Sequence, residues 1–142
     1  MIRSLQEDPR QSISSLALSS GCSKPVVKTR LENLIKSGII NIVSIVNPAS
    51  LGFQIEVIIL IKSTPERVNA VAKELSMQNF VRHVSLVAGN WQILAIAQFC
   101  DSMRMQEYLS NTLAAIPGVT DYDISPIQKT LKFEMNLVGY II

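Results

Sequence analysis

Basic side chains spaced one helical turn apart occur in the first third of the chain. Lys24 and Lys28 are four residues apart, so on a helix they share one face. Two ammonium groups placed in this way suit contacts with two phosphates, or with the acceptor edge of guanine. Residues 1–47 carry six basic and three acidic side chains, a net charge of +3, and residues 48–142 carry seven and eight. The positive charge therefore lies in the part of the chain that contains this pair.

The other reactive side chains form no catalytic pattern. His83 is the single histidine of the sequence, and its place in an alternating segment favours packing or a surface role. Cys22 and Cys100 lie far apart without metal-ligand spacing, which favours free thiols in a reducing cytosol. No apolar run reaches the roughly 18 residues that a membrane span needs, and no apolar leader follows Met1. We expect a cytoplasmic protein that is not an enzyme and binds no metal or cofactor.

Three short helices are predicted to position the basic pair. The first spans Ile2–Glu7, the second is capped by Ser12 and runs to about Ser19, and Gly21 supplies a turn. The third follows the N-cap Ser23 and runs to about Ser37, where Gly38 ends it. Two helices joined by a tight turn, the second basic on its outer face, form either a DNA-binding helix-turn-helix or a plain helical hairpin.

The rest of the chain predicts an α/β sandwich. Residues Ile39–Val46 are rich in β-branched side chains and end at Asn47-Pro48, which indicates a wing or a linker strand. Strands are then predicted at Gln54–Lys62, Val81–Ala88, Trp91–Phe99 and from Val119, with helices at Pro65–Met77 and from Asp101 to about Ala115. The order βαββαβ is that of a ferredoxin-like fold. The predicted fold class is therefore α+β, with a winged helix-turn-helix domain at residues 1–47 and a ferredoxin-like domain at residues 48–142.

Two of these strands predict an assembly. Ile55–Ile61 and Ile93–Ala97 are apolar on both faces rather than alternating. Two helices can cover only one face of a four-stranded sheet, so the other face would expose a large apolar patch. A second copy of the same sheet is the simplest cover, and this predicts a homodimer. Paired helix-turn-helix units would then match two half-sites of a palindromic operator.

Motifs along nearly the whole chain resemble the leucine-responsive/AsnC (feast/famine) family of transcriptional regulators. The first half carries Leu5-Gln6-x-Asp8-x-Arg10-x-Ser12, Leu16-Ala17, Gly21-x-Ser23, Val27-x-x-Arg30-x-x-x-Leu34, Gly38-Ile39-Ile40, Asn47-Pro48 and Leu51-Gly52. The second half carries Val87-x-Gly89 before a strand and Leu113-x-x-Ile116-Pro117-Gly118-Val119. Each motif is weak alone, but together they occur in the family's order and spacing.

The resemblance implies a homodimer, often assembled into octamers, that binds promoter DNA and responds to an amino acid or similar small metabolite. The family's recognition helix corresponds to Ser23–Lys36. Its implied DNA-binding residues are Ser23, Lys24, Pro25, Lys28, Thr29 and Arg30. Arg30 is read either as a phosphate contact or as one half of an ion pair inside the domain. For Ser12, a capping role is favoured over a phosphate contact.

The resemblance also implies an effector pocket between dimers, at the turn linking the second and third strands and on the last strand. The corresponding residues are Ala88, Gly89, Asn90, Trp91, Gln92, Tyr122 and Ile124. The family usually has acidic residues where this chain has Asn90 and Gln92, and an amide offers an ammonium group only neutral hydrogen bonds. Three alternatives stay open: an amino acid, a less polar effector, or none.

The chain also departs from the family at its start. Family members carry about eight more residues, which complete the first helix. A small domain that lacks these contacts would be less stable. The alternative function is therefore a ligand-binding and oligomerisation module with impaired DNA binding, which acts through mixed assemblies with related regulators.

Overall fold

The structure, a computed structural model, describes residues 1–133. The chain forms two compact units: the first contains Met1–Ile45 together with Lys132 and Phe133, and the second contains Val46–Leu131. The predicted domain boundary, after residue 47, falls two residues beyond the first of these divisions, and the prediction had no second boundary after Leu131. No helix in residues 1–133 is long and apolar enough to cross a membrane.

The first unit consists of three helices: α1 at Ile2–Glu7, α2 at Ile13–Ser20 and α3 at Lys24–Lys36. Their bounds lie within one residue of the predicted ones. Ser12 caps α2, because its hydroxyl oxygen accepts a hydrogen bond from the Ser15 amide at 3.1 Å. Gly21 follows α2 with φ 63° and ψ 21°, a left-handed conformation that favours glycine. The helices enclose a small core of Leu5, Leu16, Ala17 and Val27.

The segment after α3 is extended but unpaired. The amides of Ile39 and Ile40 donate to the Leu34 carbonyl at 3.0 and 3.2 Å, which closes the helix. Beyond them, no backbone hydrogen bond joins residues 41–46 to any residue in 1–133. Within residues 1–133 the predicted wing or linker strand therefore has no partner strand to satisfy its amides. A short 3₁₀ turn, Pro48–Leu51, then opens the second unit.

The second unit has the predicted ferredoxin-like order. Its elements are β1 at Ile55–Ser63, α4 at Val68–Ser76, β2 at Val81–Leu86, β3 at Ile93–Phe99, α5 at Ser102–Tyr108, one π-helical turn at Leu109–Leu113, and β4 at Val119–Pro126. The strands form one antiparallel sheet in the order β2-β3-β1-β4. The bounds lie within about three residues of prediction, except that α5 ends earlier, in the π turn.

One face of this sheet holds the core. Alternate residues of β1 and β3 are buried and pack with α4 and with the π turn; among them are Val57, Ile59, Ile61, Ile93, Ala95, Val71, Leu75 and Leu113. An aromatic cluster closes one side. There the Tyr108 ring meets Phe80 edge-on at 4.6 Å between centroids, and Phe99 lies 5.4 Å from both. The alternation thus places one apolar set of each central strand beneath the helices.

The other face, which we call the open face, is apolar at its centre. Ile58 and Leu60 of β1 alternate with the buried residues, pair in register with Ile96 and Leu94 of β3, and stay partly exposed. These four side chains lie outside the core cluster. Polar residues border them: His83 and Ser85 on β2, Asp123 and Ser125 on β4. The sequence prediction of strands that are apolar on both faces is therefore confirmed.

Candidate functional sites

The predicted DNA-binding residues occupy the exposed surface of α3. Ser23, Lys24, Pro25, Lys28, Thr29 and Arg30 are all exposed. Ser23 has N-cap backbone geometry but makes no side-chain cap hydrogen bond, so its hydroxyl is left for another partner. The first turn of α3 contains no acidic residue, and Lys24 adds a positive charge to the positive end of the helix dipole. This end of α3 is suited to an anion.

The core of the unit fixes the orientation of this surface. Val27 is 1% exposed and packs against the buried residues of α1 and α2, so Lys24 and Lys28 on either side of it face outward. The Thr29 hydroxyl donates to the Pro25 carbonyl at 3.0 Å. Lys28 lies 3.9 Å from Glu32 in an exposed i,i+4 pair, which contributes little and leaves the ammonium accessible. The basic pair predicted from the sequence is therefore on one accessible face.

Arg30 lies apart from this pair. At about 100° per residue it is turned roughly 200° from Lys28, and it borders a separate concavity of about 710 Å³ with Asn33 and Leu34. Its guanidinium donates to the Cys22 sulfur at 3.9 Å. No carboxylate in residues 1–133 lies within ion-pair distance of Arg30. Of the two predicted roles, the ion pair inside the domain has no partner in the described part of the chain.

Sequence reasoning missed one residue beside α3. Leu18 of α2 is 85% exposed and borders an open concavity of about 560 Å³ together with Gly21, Ser23 and Lys24. An apolar side chain this exposed on a small helical domain is notable, because the neighbouring Leu16 and Ala17 are buried. The sequence does indicate this exposure, because Leu18 does not fit the spacing of three and four residues that the inward residues of α2 follow.

The turn predicted to bind an effector links β2 to β3. Gly89 has φ 130°, and the Val87 amide closes the turn onto the Gln92 carbonyl at 2.9 Å. Ala88, Gly89 and Asn90 are exposed. The Asn90 side-chain amide makes no hydrogen bond within residues 1–133, so it can bind a further group.

Gln92 is used by the fold. Its side-chain oxygen accepts from the Ser63 amide at 3.2 Å, and its side-chain nitrogen donates to the Asn90 carbonyl at 3.4 Å. Its own amide donates to the Ile61 carbonyl at 3.1 Å. Gln92 therefore joins the beginning of β3 to the end of β1 and shapes the turn from within.

An ionic cluster that sequence reasoning missed lies beside this turn. The Lys62 ammonium lies 4.5 Å from the centroid of the Trp91 ring and 3.3 Å from an Asp121 carboxylate oxygen. Lys62 and Asp121 are 39% and 56% exposed, so both charges are accessible. The acid that the turn lacks is thus supplied by β4. Lys62 and Asp121 are 59 positions apart in the sequence, so no local pattern reveals this pair.

Tyr122 and Ile124 lie on the side of β4 that faces the helices. They pair in register with Ile61 and Ile59, both fully buried, and they pack against the core cluster. Asp121 and Asp123 alternate with them toward the open face. The structure thus brings Asn90, Trp91 and Gln92 together and directs Tyr122 and Ile124 to the other face of the sheet.

His83, Cys22 and Cys100 form no reactive centre. A His83 ring nitrogen lies 2.7 Å from the Ser85 hydroxyl oxygen, both on β2 of the open face. Cys22 and Cys100 are free thiols. No group of three or more histidine, cysteine, aspartate or glutamate side chains in residues 1–133 could hold a metal ion.

Comparisons with known proteins assign each half of the chain to a known type of domain. Residues 1–41 match a winged helix-turn-helix DNA-binding domain. Residues 56–137 match the Lrp/AsnC ligand binding domain. The chain is 31% identical over 129 residues to the HTH-type transcriptional regulator LrpA of Pyrococcus horikoshii. This match covers 90% of this chain and 92% of LrpA. LrpA of Pyrococcus abyssi is similar to the same extent.

Solved structures share the fold at lower identity. AsnC of E. coli superposes with a TM-score of 0.87 at 19% identity, covering 95% of this chain and 92% of AsnC. A transcriptional regulator from Neisseria meningitidis in complex with L-Met also reaches 0.87, at 22% identity, covering 96% and 90%. A feast or famine regulatory protein from M. tuberculosis complexed with L-methionine reaches 0.82, at 19% identity, covering 96% and 93%.

A helix-turn-helix with an exposed basic face, joined to a βαββαβ ligand-binding domain, defines a DNA-binding transcriptional regulator rather than an enzyme. Within that class, the chain belongs to the Lrp/AsnC family. The family and the fold predicted from the sequence are confirmed.

Proposed function

We propose that this protein binds promoter DNA as a homodimer and that an amino acid modulates this binding. The observation that carries the proposal is the exposed N-terminal face of α3, where Ser23, Lys24 and Lys28 are left without strong partners. A recognition helix of this kind contacts base edges and phosphates with its N-terminal residues. The open face of the sheet supports the dimer, because its apolar centre needs a cover.

The DNA test compares two sets of lysines on the same helix. Lys24→Ala combined with Lys28→Ala should abolish the gel shift of the gene's own upstream DNA. Lys36→Ala, in the last turn of α3, removes a charge of the same kind and should bind nearly as wild type. For DNA still bound by a single-lysine variant, the slope of log affinity against log salt should fall by about one per lost phosphate contact. Unchanged binding by the double variant would refute the assignment of the recognition helix.

The ionic cluster beside the turn supports an amino-acid effector. Lys62 presents a cation and Asp121 an anion 3.3 Å apart, and Trp91 covers one side with an aromatic ring. A free amino acid carries a carboxylate and an ammonium group that match this pair. Trp91 would contact the side chain, and a thioether packs well on an aromatic ring. L-Methionine, bound by two proteins of the same fold, is therefore the first compound to test.

The effector test uses two neighbouring aspartates. Asp121 and Asp123 each accept a hydrogen bond from the next residue's amide, but of the two only Asp121 pairs with Lys62 in the described residues. L-Methionine at 100 times its Kd should stabilise the folded protein by about 2.7 kcal/mol, which appears as a higher Tm. Asp121→Asn should abolish that shift and Asp123→Asn should keep it. An equal response of the two variants would place the effector elsewhere.

A further inference from the structure

Leu18 is the most exposed large apolar side chain of residues 1–45. It is 85% exposed in the middle of α2, next to Leu16 and Ala17, which are buried. The core of the first unit does not include it. A single exposed leucine is ordinary on a protein surface, so the residues around Leu18 decide whether it has a binding role.

Hydrogen-bond donors surround Leu18. It borders the concavity of about 560 Å³ beside the start of α3, together with Ser14, Gly21, Ser23 and Lys24. Ser14 lies one helical turn before Leu18, so both side chains are on the same face of α2. The hydroxyl groups of Ser14 and Ser23 make no hydrogen bond within residues 1–133, and both residues are exposed. The concavity therefore places one apolar side chain among donors that can bind an incoming group.

The charge around the concavity favours a polyanion. Residues 11–31 contain Lys24, Lys28 and Arg30 and no acidic residue. Hydroxyl and ammonium donors without an acid among them suit the phosphates of DNA. The concavity also adjoins the N-terminal end of α3, so it continues the surface proposed to bind DNA. Both its charge and its position therefore indicate DNA as the occupant.

The position of α2 decides which part of the DNA Leu18 meets. In a helix-turn-helix the second helix enters the major groove and the first helix crosses the backbone. Leu18 is on the first of these helices, but it shares a concavity with Ser23 and Lys24 at the start of the second. It therefore lies where the backbone borders the groove. The apolar group that base edges present to a protein in the major groove is the C5-methyl of thymine.

We propose that Leu18 contacts the C5-methyl group of a thymine in each half-site and so contributes to the choice of operator. Ser14 and Ser23 donate to phosphates beside this contact and hold α2 at the edge of the groove. The inference rests on the proposed DNA binding and adds a specificity-determining residue outside the recognition helix. The contact involves no charge, so its contribution to affinity is independent of salt.

Deoxyuridine tests the contact, because it lacks only the C5-methyl group of thymidine. Each thymidine of the gene's own upstream DNA is replaced in turn, and gel shifts with the full-length protein measure the affinity. Covering one methyl group is worth about fourfold in affinity, so the critical replacement should weaken binding by about that factor. Leu18→Ala should weaken binding of the unmodified DNA at least as much, and the same replacement should then have no further effect.

Two further readouts separate the reading of a base from a loss of folding. Leu18→Ala should keep the wild-type Tm, because the side chain is 85% exposed. It should also keep the slope of log affinity against log salt, because no phosphate contact is lost. Leu51→Ala is the matched control, since it removes another exposed leucine, in the 3₁₀ turn of the second unit. That variant should keep both the affinity and the response to deoxyuridine.

Three outcomes would overturn the contact and leave the proposed regulator intact. The first is wild-type affinity of Leu18→Ala, which would assign the exposed leucine to a protein partner instead. The second is a wild-type protein that no deoxyuridine replacement weakens. The third is a Leu18→Ala variant that still responds to deoxyuridine as the wild type does. A wild-type protein that binds none of the upstream DNA would refute the proposed function and this inference together.

Discussion

Tyr108 carries a hydroxyl group that its surroundings do not satisfy. The residue is 5% exposed, and its ring packs on Phe80 and Phe99, but its oxygen has no hydrogen-bond partner in residues 1–133. Burial, and then the nearby Glu74 carboxylate, raise the pKa of the phenol far above its usual range. We therefore expect the ring of Tyr108, and not its hydroxyl, to stabilise the fold.

Tyr108→Phe should keep or increase stability, because it removes the unsatisfied hydroxyl and keeps the ring. We expect the free energy of unfolding to stay level or rise by up to about 1–2 kcal/mol, measured by urea denaturation. Tyr122→Phe, at a partly exposed ring of β4, should change it by less than about 0.5 kcal/mol. A loss of more than 1 kcal/mol in Tyr108→Phe would show that the hydroxyl has a partner.

The raised pKa of Tyr108 also predicts a pH dependence. Above the ordinary tyrosine pKa of about 10, the unfolded chain releases the phenol proton while the folded protein still holds it. Stability from this group is thus complete below pH 10 and falls above it, by up to about 1.4 kcal/mol per pH unit. Tyr108→Phe lacks this group, so its stability relative to the wild type should increase with pH. The difference between the urea midpoints of the two proteins should therefore favour Tyr108→Phe more at pH 10.5 than at pH 9. A constant difference between the two proteins would contradict the shift.

Among the glycines of residues 1–133, Gly118 has the least room. It has φ 104°, and a Cβ placed on it would lie 2.5 Å from the Cβ of Arg67, whose guanidinium donates to the Pro117 carbonyl. Gly118→Ala should therefore lower the free energy of unfolding by about 2–4 kcal/mol. Gly89→Ala is the matched control, with a similar φ of 130° but no atom within 4 Å, and should cost less. Equal losses in urea denaturation would mean that the contact with Arg67 relaxes freely.

At the scale of elements, Gln92 tests whether the β2–β3 turn is shaped for binding or for folding. Gln92→Ala leaves the Ser63 amide, at a nearly buried residue, without its acceptor, so we expect a loss of about 1–3 kcal/mol. Asn90→Ala removes an amide without a partner and should stay within about 0.5 kcal/mol. Thermal unfolding without ligand measures both. The opposite order would make Asn90 the structural residue of the turn.

The elements themselves followed from the sequence, because helix caps and hydrophobic periodicity are local signals. Ser12, Gly21 and Ser23 placed the helix ends of the first unit to within a residue. The alternation of side chains in β4 was equally clear in the sequence, but alternation alone does not say which set of side chains faces the helices. Only the pairing with β1 assigns Tyr122 and Ile124 to the helix side. The prediction that these two residues bind an effector stays a prediction.

Contacts that depend on which strands pair with each other could not be predicted from the sequence. Lys62 and Asp121 meet only because β1 and β4 are neighbours in the sheet. Residues 39–46 have the composition of a strand, yet they pair with no strand within residues 1–133, because propensity does not supply a partner.

At the scale of the whole molecule, the open face predicts the effect of a buried charge. Leu60→Glu places a carboxylate at the apolar centre of that face and should convert dimers to monomers, because an unpaired charge in an interface costs several kcal/mol. Asn69→Glu adds the same charge to the exposed surface of α4 and should leave the dimer intact. Sedimentation velocity at equal concentrations distinguishes them. A dimeric Leu60→Glu would move the interface away from this face.

The exposed segment between the two units has a consequence for how the protein is made. Seven or eight uncharged residues rich in isoleucine and valine, without proline, have the composition of sequences that form cross-β aggregates. A newly made chain exposes this segment as well as the open face, so dimer formation through the open face competes with stacking of several chains through the segment. Refolding yield should therefore pass through a maximum with protein concentration. Synthesis of neighbouring chains on one messenger would favour the correct partner.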